Sequence, residues 1–303
     1  MHRTITLTLA MLFSTATMAA DNHAFDPPWN TPPSSAVTFT VPGIDNVPDL
    51  YGDIENPQLT IFFAGNQFMV IDELLAGFKQ KYPQYQRIFA ETLPPGILAR
   101  QIAGKSLTIG NLRITHQADV YTAGKARMES MAEAFRRTVP YARNQLSLMV
   151  AAGNPKQVTG LQDLKGADIR ISMPNPAWEG VSKQIESAYR KAGGEGLHDA
   201  IMQSKVQNHS TFLTRIHHRE SPMRILYGDS DVAPVWRTEV AYQKMLGHPV
   251  DEVSIPQREN TEAIYMAGEL KQAPHPQAAR DFVDYMTSRE ARRIYAKYGF
   301  IVD

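Results

Sequence analysis

The densest group of chemically versatile side chains lies in the second half of the chain, where His217, His218 and Arg219 are consecutive. The Arg guanidinium is a forked, permanently charged hydrogen-bond donor that suits a carboxylate, sulfate or phosphate group. The cluster therefore predicts a clamp for a small anion, built on His218 and Arg219. The alternative interpretation is a surface helix end, because cations are favoured near the C-terminus of a helix dipole.

The same histidines, together with His209 upstream, raise a second hypothesis, a metal-dependent hydrolase. A zinc site needs two or three converging imidazoles. On a helix the adjacent His217 and His218 side chains point about 100° apart, which disfavours a shared metal. We therefore predict no metal and no other cofactor, and the hydrolase stays open as an alternative.

Recognisable catalytic motifs are absent from the sequence. The chain contains no Cys, which excludes a thiolate nucleophile, a disulfide framework and a cysteine-based metal site. It also lacks G-x-S-x-G, H-E-x-x-H and a Gly-rich phosphate loop. The sequence therefore favours a binding protein over an enzyme.

A strand, a small polar loop and a helix follow one another early in the chain. The apolar run at residues 59–63 predicts a buried strand, and apolar residues at helical spacing over 71–82 predict a helix. Between them, Gly65 permits a tight turn and Asn66 can cap the helix. Such a unit aims backbone N–H groups and the Asn66 side chain at a small polar ligand, at the carboxyl end of the strand.

The alternation of strands and helices continues along the chain and favours a parallel sheet. Further strands are predicted at residues 85–91, 118–124, 146–152, 169–173, 232–236 and 263–266. Helices are predicted at residues 97–103, 127–135, 181–191, 210–219 and 237–246, and two more close the chain. Ser288 is expected to cap the last helix, and Gly299 to end it.

Composition and the chain's beginning indicate an exported protein. The chain has 303 residues, 43% of them hydrophobic, which is enough for two cores. Lys plus Arg and Asp plus Glu both number 31, so no net charge favours nucleic acid. Residues 1–20 have the pattern of a signal peptide, and residues 21–56 form a Pro-rich arm. No later segment has the apolar length of a membrane span. We expect a soluble periplasmic protein.

Seven stretches carry a family likeness through their order and spacing: Phe63-Ala64-Gly65-Asn66, Ala118-Asp119-Val120-Tyr121, residues 141–146 with Gly153-Asn154-Pro155, Asp163-Leu164, residues 231–236, residues 276–283 and Tyr298-Gly299-Phe300. Together they resemble the periplasmic solute-binding proteins of ABC importers, in the molybdate and tungstate-binding branch of the type II class. The similarity covers roughly residues 58–303.

The resemblance implies an α/β fold of two lobes with a ligand cleft between them. Lobe I would comprise residues 57–142 and 256–303, and lobe II residues 143–255. Such a protein closes around its ligand by hinge motion and presents the closed form to an ABC-type membrane permease. The ligand would be a small oxyanion or organic anion, and the protein a monomer without a nucleic-acid partner. A sensor or adhesion protein with the same fold is a further alternative.

In lobe I, the resemblance places anion contacts at Gly65 and Asn66 after the first strand and at Thr122 and Ala123 after the third. Proteins of that branch carry a small hydroxyl residue where this chain has Asn66 and another where it has Ala123. The two substitutions favour an anion other than bare molybdate, such as a larger one with an apolar part, because a buried dianion needs many donors.

In lobe II, the expected contacts follow the strand ends. Backbone amides of Glu179 and Gly180 match the family's anion contacts, and Trp236 stands where the family has a Tyr that closes the pocket. Further candidates for the lining are Asn175, Trp178 and Arg237. The alternatives are that the Trp side chains are core residues and that Arg237 forms a surface ion pair worth little.

Overall fold

A computed structural model describes residues 50–109, 112–177, 179–214 and 220–303. The predicted signal peptide and nearly all of the Pro-rich arm lie outside the described residues. From the end of the arm, Leu50–Gly52 forms an edge strand that pairs antiparallel with Ile88–Leu93. The arm is therefore attached to the rest of the chain through backbone hydrogen bonds at its last residues.

Twelve strands lie in the described residues. Ten of them form one sheet, and β4 and β5 form a separate hairpin. The strands are β1 (Leu50–Gly52), β2 (Leu59–Ala64), β3 (Ile88–Leu93), β4 (Leu107–Ile109), β5 (Leu112–Ile114), β6 (Val120–Gly124), β7 (Phe135–Ala151), β8 (Ile171–Met173), β9 (Thr211–Leu213), β10 (Val232–Trp236), β11 (Val250–Ser254) and β12 (Glu262–Leu270).

The long strand β7 divides the sheet into two half-sheets. Its first part pairs with β12, and the order β1-β3-β2-β6-β12-β7 makes the first half-sheet. Its last part pairs with β10 and β11, and the order β7-β10-β8-β9, with β11 on β7, makes the second half-sheet. The chain returns from β11 to β12 through residues 255–261, so two segments cross between the half-sheets.

Nine α-helices within the described residues cover these half-sheets. They are α1 (Ile71–Lys81), α2 (Pro95–Gly104), α3 (Lys125–Ser130), α4 (Gly180–Asp199), α5 (Lys205–Gln207), α6 (Glu220–Leu226), α7 (Arg237–Met245), α8 (Pro276–Met286) and α9 (Arg289–Lys297). Ser288 caps α9, its hydroxyl accepting the Ala291 N–H, as predicted. Gly299 follows with a φ of 86°, a left-handed conformation that favours glycine.

Each half-sheet is covered by apolar side chains on both faces. In the first, one face packs against α1, α8 and α9, and the other against α2 and α3. In the second, α4 covers one face, and α6 and α7 cover the other. The separate clusters mean that each half-sheet has its own hydrophobic core, as the chain length allowed.

The helix predicted over residues 210–219 is wrong in the part that the structure describes. Thr211–Leu213 is instead the edge strand β9, parallel to β8. A β-branched residue followed by an aromatic one favours a strand at such an edge. The next helix, α6, begins at Glu220 and contains Pro222 in its first turn. Proline is tolerated there because the first helical N–H groups have no intrahelical acceptor.

Two other expectations need correction. The sheet is mixed and not parallel throughout, since β12 is antiparallel to both of its neighbours and β7 to all of its own. The strand predicted to begin at Leu146 begins at Phe135, where the preceding helix was expected to end. The helix there, α3, already ends at Ser130.

Candidate functional site

The carboxyl ends of strands from both half-sheets face the same short stretch of β7. In the first half-sheet, Gly124 at the end of β6 lies opposite Tyr265, and Tyr265 lies opposite Ala142 of β7. In the second, Trp236 at the end of β10 lies opposite Leu146 of β7. From Ala142 to Leu146 the strand rises about 13 Å, at roughly 3.3 Å per residue. The helices that directly follow β6 and β10, α3 and α7, therefore begin near the same stretch of β7.

A β-bulge marks this crossing. Tyr265 pairs with Ala142, but the next residue, Met266, pairs with Pro140, so Tyr141 is the extra residue of β7. A bulge bends and twists a strand and is common beside functional sites. It also accommodates Pro140, which has no N–H to give to the ladder. The bulge therefore lies where β7 passes from one half-sheet to the other.

In the first half-sheet, Gly65 and Asn66 begin a 3-10 helix, Gly65–Val70, and both are buried. Asn66 was expected to cap the following helix, and this prediction is wrong, because α1 begins only at Ile71 and Val70 is its N-cap residue. The Asn66 side-chain amide instead donates a hydrogen bond to the Tyr265 hydroxyl. Asn66 thus lies at the crossing, with one amide hydrogen already engaged.

Thr122 and Ala123 at the end of β6 have different surroundings. The Thr122 hydroxyl accepts a hydrogen bond of 3.2 Å from the Ala64 N–H, and it lies beside the Tyr141 hydroxyl. Ala123 packs in the apolar cluster on the α2 and α3 side of the sheet. Both residues are fully buried. The Thr122 hydroxyl therefore holds β6 to the end of β2 and contacts Tyr141.

Buried tyrosines and amides behind these loops were missed by the sequence reasoning. The Tyr295 hydroxyl donates to Oε1 of Gln67 over 2.8 Å, and the Tyr141 ring packs 5.1 Å from the Tyr295 ring. Burial raises the pKa of Tyr141 and of Tyr265. Their hydroxyls therefore stay protonated at neutral pH. In the sequence these tyrosines have the same signature as ordinary core residues.

In the second half-sheet, the loop after β8 is fixed by Thr214. The Asn175 N–H donates to the Thr214 hydroxyl oxygen over 3.1 Å, and the Thr214 hydroxyl donates to the Glu179 carboxylate over 2.5 Å. Asn175 also accepts the Ala177 N–H at 3.0 Å, which forms a local turn. Glu179 is 4% exposed. Its carboxylate is thus turned to Thr214, beside the start of α4.

Gly180, the first residue of α4, is exposed, and a Cβ built on it would meet no heavy atom within 4 Å. The first turn of a helix carries N–H groups without intrahelical acceptors and the positive end of the helix dipole. An anion is stabilised at such a position. The start of α4 therefore has both the space and the polarity for a negatively charged group.

Trp236 and Arg237 begin α7 and differ in their roles. Trp236 is 5% exposed, and its ring lies 6.2 Å from the Tyr265 ring, edge to face. Its backbone N–H donates to the Glu239 carboxylate over 3.1 Å. The exposed Arg237 guanidinium lies 3.3 Å from Glu252 of β11. This ion pair is the surface alternative that the sequence left open for Arg237.

Three predicted contacts, Trp178, His218 and Arg219, lie outside the described residues, as does His217 of the hydrolase hypothesis. The third histidine of the hydrolase hypothesis, His209, is exposed and has a φ of 63°. Arg143, near the crossing, pairs with Glu262 at 3.2 Å and with Asp303. It therefore ties the chain's end to the start of β12.

Within the described ranges, one group has the composition of a cation site: Glu195, His198 and Asp199 near the end of α4. His198 Nδ1 lies 2.9 Å from Asp199 Oδ1, and Arg190 Nε donates to Glu195 over 2.8 Å. These contacts already pair the three side chains. The group lies at the opposite end of α4 from Gly180.

None of the described helices combines the length and apolar character needed to cross a membrane.

Comparison with known proteins identifies relatives. A family model described as bacterial extracellular solute-binding protein matches residues 59–301. The molybdate-binding protein ModA of Mycobacterium tuberculosis is 25% identical over 209 residues, which span 65% of this chain and 71% of the relative. The family match covers every strand of both half-sheets except β1.

Solved structures share the fold at lower identity. The sulfate-binding protein SubI of Mycobacterium tuberculosis superposes with a TM-score of 0.64 at 19% identity, over 80% of this chain and 85% of that one. PEB3 of Campylobacter jejuni, in its L-phospholactate-bound structure, superposes with a TM-score of 0.60 at 14% identity, over 81% of this chain and all of that one.

Proposed function

Because the chain belongs to the bacterial extracellular solute-binding protein family, in its molybdate-binding-like type II branch, we propose that it captures a small anion between two lobes and delivers it to an ABC-type permease. The lobes have the boundaries expected above, residues 57–142 and 256–303 for one and residues 143–255 for the other, so that each holds most of one half-sheet with its helices. The protein acts in the periplasm, as a monomer, and without a cofactor.

The observation that carries the proposal is the convergence of strand ends on residues 142–146 of β7. Gly124 approaches this stretch from one half-sheet and Trp236 from the other. In α/β proteins, ligands bind beyond the carboxyl ends of strands. A ligand bound there contacts both lobes at once, so closing the lobes around it contributes to its binding.

The polarity of this region favours an anion. The exposed start of α4 at Gly180 offers backbone N–H groups and the positive end of a helix dipole. Asn66 adds a side-chain amide, of which one hydrogen is bonded to Tyr265 and the other remains for a ligand. The predicted contacts His218 and Arg219 would add positive charge.

The ligand we propose is larger than bare molybdate and has an apolar part. The Thr122 hydroxyl is fully buried behind the end of β2, and Ala123 offers no side-chain donor. A desolvated dianion needs a donor for nearly every oxygen, since unpaired buried charge is very costly. Trp236 is 5% exposed, which leaves a small aromatic edge for contact with an apolar group. Small phosphorylated organic acids combine both features, and PEB3 was solved with one of them, L-phospholactate.

Calorimetric titration of the purified protein with molybdate, sulfate and L-phospholactate tests the proposal. An anion that binds only the folded state also raises the melting temperature as its concentration increases. We expect binding of at least one anion, with compaction in small-angle scattering. No binding by any anion of a wider panel would contradict the proposed function. Nanomolar molybdate binding without a tighter organic ligand would contradict the ligand class alone.

Turnover assays address the hydrolase alternative. The protein is incubated with each bound anion, with and without added zinc, and the products are quantified. The proposal expects each ligand to be recovered unchanged. Zinc-dependent hydrolysis that is lost in a His209→Ala variant would instead support the metal-dependent hydrolase.

A further inference from the structure

A series of buried polar side chains, here called the polar network, connects the two half-sheets behind the proposed ligand site. The Asn66 amide donates to the Tyr265 hydroxyl, and the Asn144 side chain lies beside the same hydroxyl, two residues along β7 from Ala142, the strand partner of Tyr265. The Asn144 amide in turn donates to the Thr238 hydroxyl oxygen over 2.9 Å. Asn66 belongs to the loop after β2, and Thr238 to the first turn of α7.

All four members of the polar network are shielded from water. Asn66, Tyr265, Asn144 and Thr238 are 4%, 3%, 1% and 0% exposed, respectively. A phenol hydroxyl can accept one hydrogen bond and donate another, so both contacts of Tyr265 are compatible. Burial raises the Tyr265 pKa, which keeps this hydroxyl protonated. Breaking one bond would leave buried polar groups unpaired, so the members are energetically linked.

Both ends of the polar network adjoin predicted ligand contacts. Asn66 is itself such a contact, and Thr238 follows Trp236 closely at the start of α7. The Tyr265 ring adds a second connection, because it meets the Trp236 ring edge to face at 6.2 Å. Tyr265 also lies opposite the bulge in β7, where one half-sheet passes into the other.

We propose that Tyr265 is a positioning residue that couples the orientation of the Asn66 amide in one lobe to the position of α7 in the other. The inference rests on the proposed function and extends it, since it assigns the coupling between lobe closure and ligand binding to a residue outside the predicted contacts. A ligand that fixes Asn66 then favours one position of α7, and by linkage that position of α7 favours the ligand.

Two isosteric substitutions interrupt the polar network at different points. Tyr265→Phe removes the shared hydroxyl and keeps the ring against Trp236, and Thr238→Val removes the acceptor of the Asn144 amide. The matched control is Tyr285→Phe, because the Tyr285 hydroxyl is fully buried in the first half-sheet and has no hydrogen-bond partner among the described residues. Each variant is first checked for an intact thermal transition.

Lobe separation is measured without any ligand. The chain has no Cys, so spin labels go on cysteines introduced at the exposed positions Ala126 and Lys183, one near each rim of the cleft. In Tyr265→Phe and in Thr238→Val we expect a shifted or broadened distance distribution. In Tyr285→Phe the distance distribution should equal that of the parent protein. Because Tyr265→Phe and Thr238→Val act on the same polar network, the double variant should change the distance distribution less than the sum of the two single effects.

Affinity is measured by calorimetry with molybdate, sulfate and L-phospholactate. For whichever anion the parent binds, both variants are expected to bind about 2- to 30-fold more weakly, the range for residues that modulate coupling between sites. Unchanged distances and affinities in a folded Tyr265→Phe variant would overturn the inference. If the parent binds none of the anions, the proposed function fails, and the distance measurement alone still decides the role of Tyr265.

Discussion

The side-chain amide of Asn260 brackets the backbone of Leu146, accepting its N–H at 3.0 Å and donating to its carbonyl oxygen at 2.8 Å. Asn260 lies in residues 255–261, the segment that returns to the first half-sheet, and Leu146 is where β7 begins to pair with β10. The Lys191 ammonium of α4 donates to the Asn260 carbonyl oxygen over 2.6 Å. The two crossing segments are thus fastened to each other and to α4.

Replacing Asn260 by Ala is expected to lower the free energy of unfolding by about 1–3 kcal/mol. The substitution leaves the N–H and carbonyl of Leu146 without their side-chain partners in a buried place, and an unsatisfied buried group costs about that much. Chemical denaturation followed by circular dichroism measures the change. Asn56→Ala, at an exposed position, is the control and should stay within about 0.5 kcal/mol. Equal effects of both substitutions would contradict this role of Asn260.

Local patterns in the sequence predicted much of the fold. The strand over residues 59–63, the helix over 71–82, the strand ending at Trp236 and the cap at Ser288 all appear in the structure. For the strands and the helix, a run of apolar residues at strand or helix spacing was enough, and Ser288 was predicted as a residue type that caps helices. The family likeness supplied the arrangement that local spacing does not encode.

Three features could not be predicted from local patterns. Pro140 has no N–H for the ladder and so argues against a strand locally, yet β7 runs through it beside a bulge. The edge strand β9 depends on its pairing with β8, a contact distant in sequence. The role of Tyr265 depends on amides contributed by Asn66 and Asn144, from two other strands or their ends. Tertiary contacts decide all three.

The stability of the protein is expected to fall as the pH rises from about 4.5 to 7, through Glu91. This fully buried carboxyl has one hydrogen-bond donor, the Gln101 amide at 2.9 Å, and its burial raises its pKa from the ordinary 4.5 to about 7. Below pH 4.5 the group is protonated in the folded and unfolded states alike. Between pH 4.5 and 7 the Glu91 carboxyl ionises mainly in the unfolded state, so unfolding becomes more favourable as the pH rises. Above pH 7 it is ionised in both states, and the loss of stability no longer changes with pH.

Glu91→Gln isolates this effect, because it keeps an acceptor for the Gln101 amide without the charge. One pKa unit corresponds to about 1.4 kcal/mol, so the shift of Glu91 from 4.5 to about 7 predicts that the variant exceeds the parent by about 3 kcal/mol at pH 8 and matches it near pH 4. Denaturation curves at several pH values measure the difference. Glu129→Gln, whose side chain is 66% exposed, provides the reference. A stability difference that does not vary with pH would contradict the ionisation of Glu91 as its cause.

Gly77 and Tyr285 are expected to be coupled in stability. A Cβ at Gly77 would overlap the Tyr285 hydroxyl oxygen and would lie 2.8 Å from Glu290 Oε1. Gly77→Ala alone should therefore destabilise the packing of α1 on α8 and α9, although Ala favours a helix over Gly by about 1 kcal/mol. In the Tyr285→Phe background the overlap is relieved. A double-mutant cycle should give an interaction energy of about 0.5–3 kcal/mol, and additive effects would contradict the steric explanation.

The start of α4 offers a prediction in which stability and binding change in opposite directions. Gly180→Asp introduces a carboxylate into the first turn, where a negative charge stabilises a helix by about 0.3–1 kcal/mol. Space for the side chain is available, since a Cβ there meets no heavy atom within 4 Å. The same carboxylate would repel an anion bound at the Gly180 N–H. Gly180→Asn has nearly the same shape without the charge, so the comparison of the two isolates electrostatics.

Relative to the Gly180→Asn variant, the Gly180→Asp variant should melt at an equal or higher temperature without ligand. It should bind the anion at least about tenfold more weakly, which corresponds to about 1.4 kcal/mol, and the deficit should shrink as salt screens the charges. Equal affinities of the two variants would place the anion away from α4, whereas a lower melting temperature of the Asp variant would mean that the first turn does not form as described.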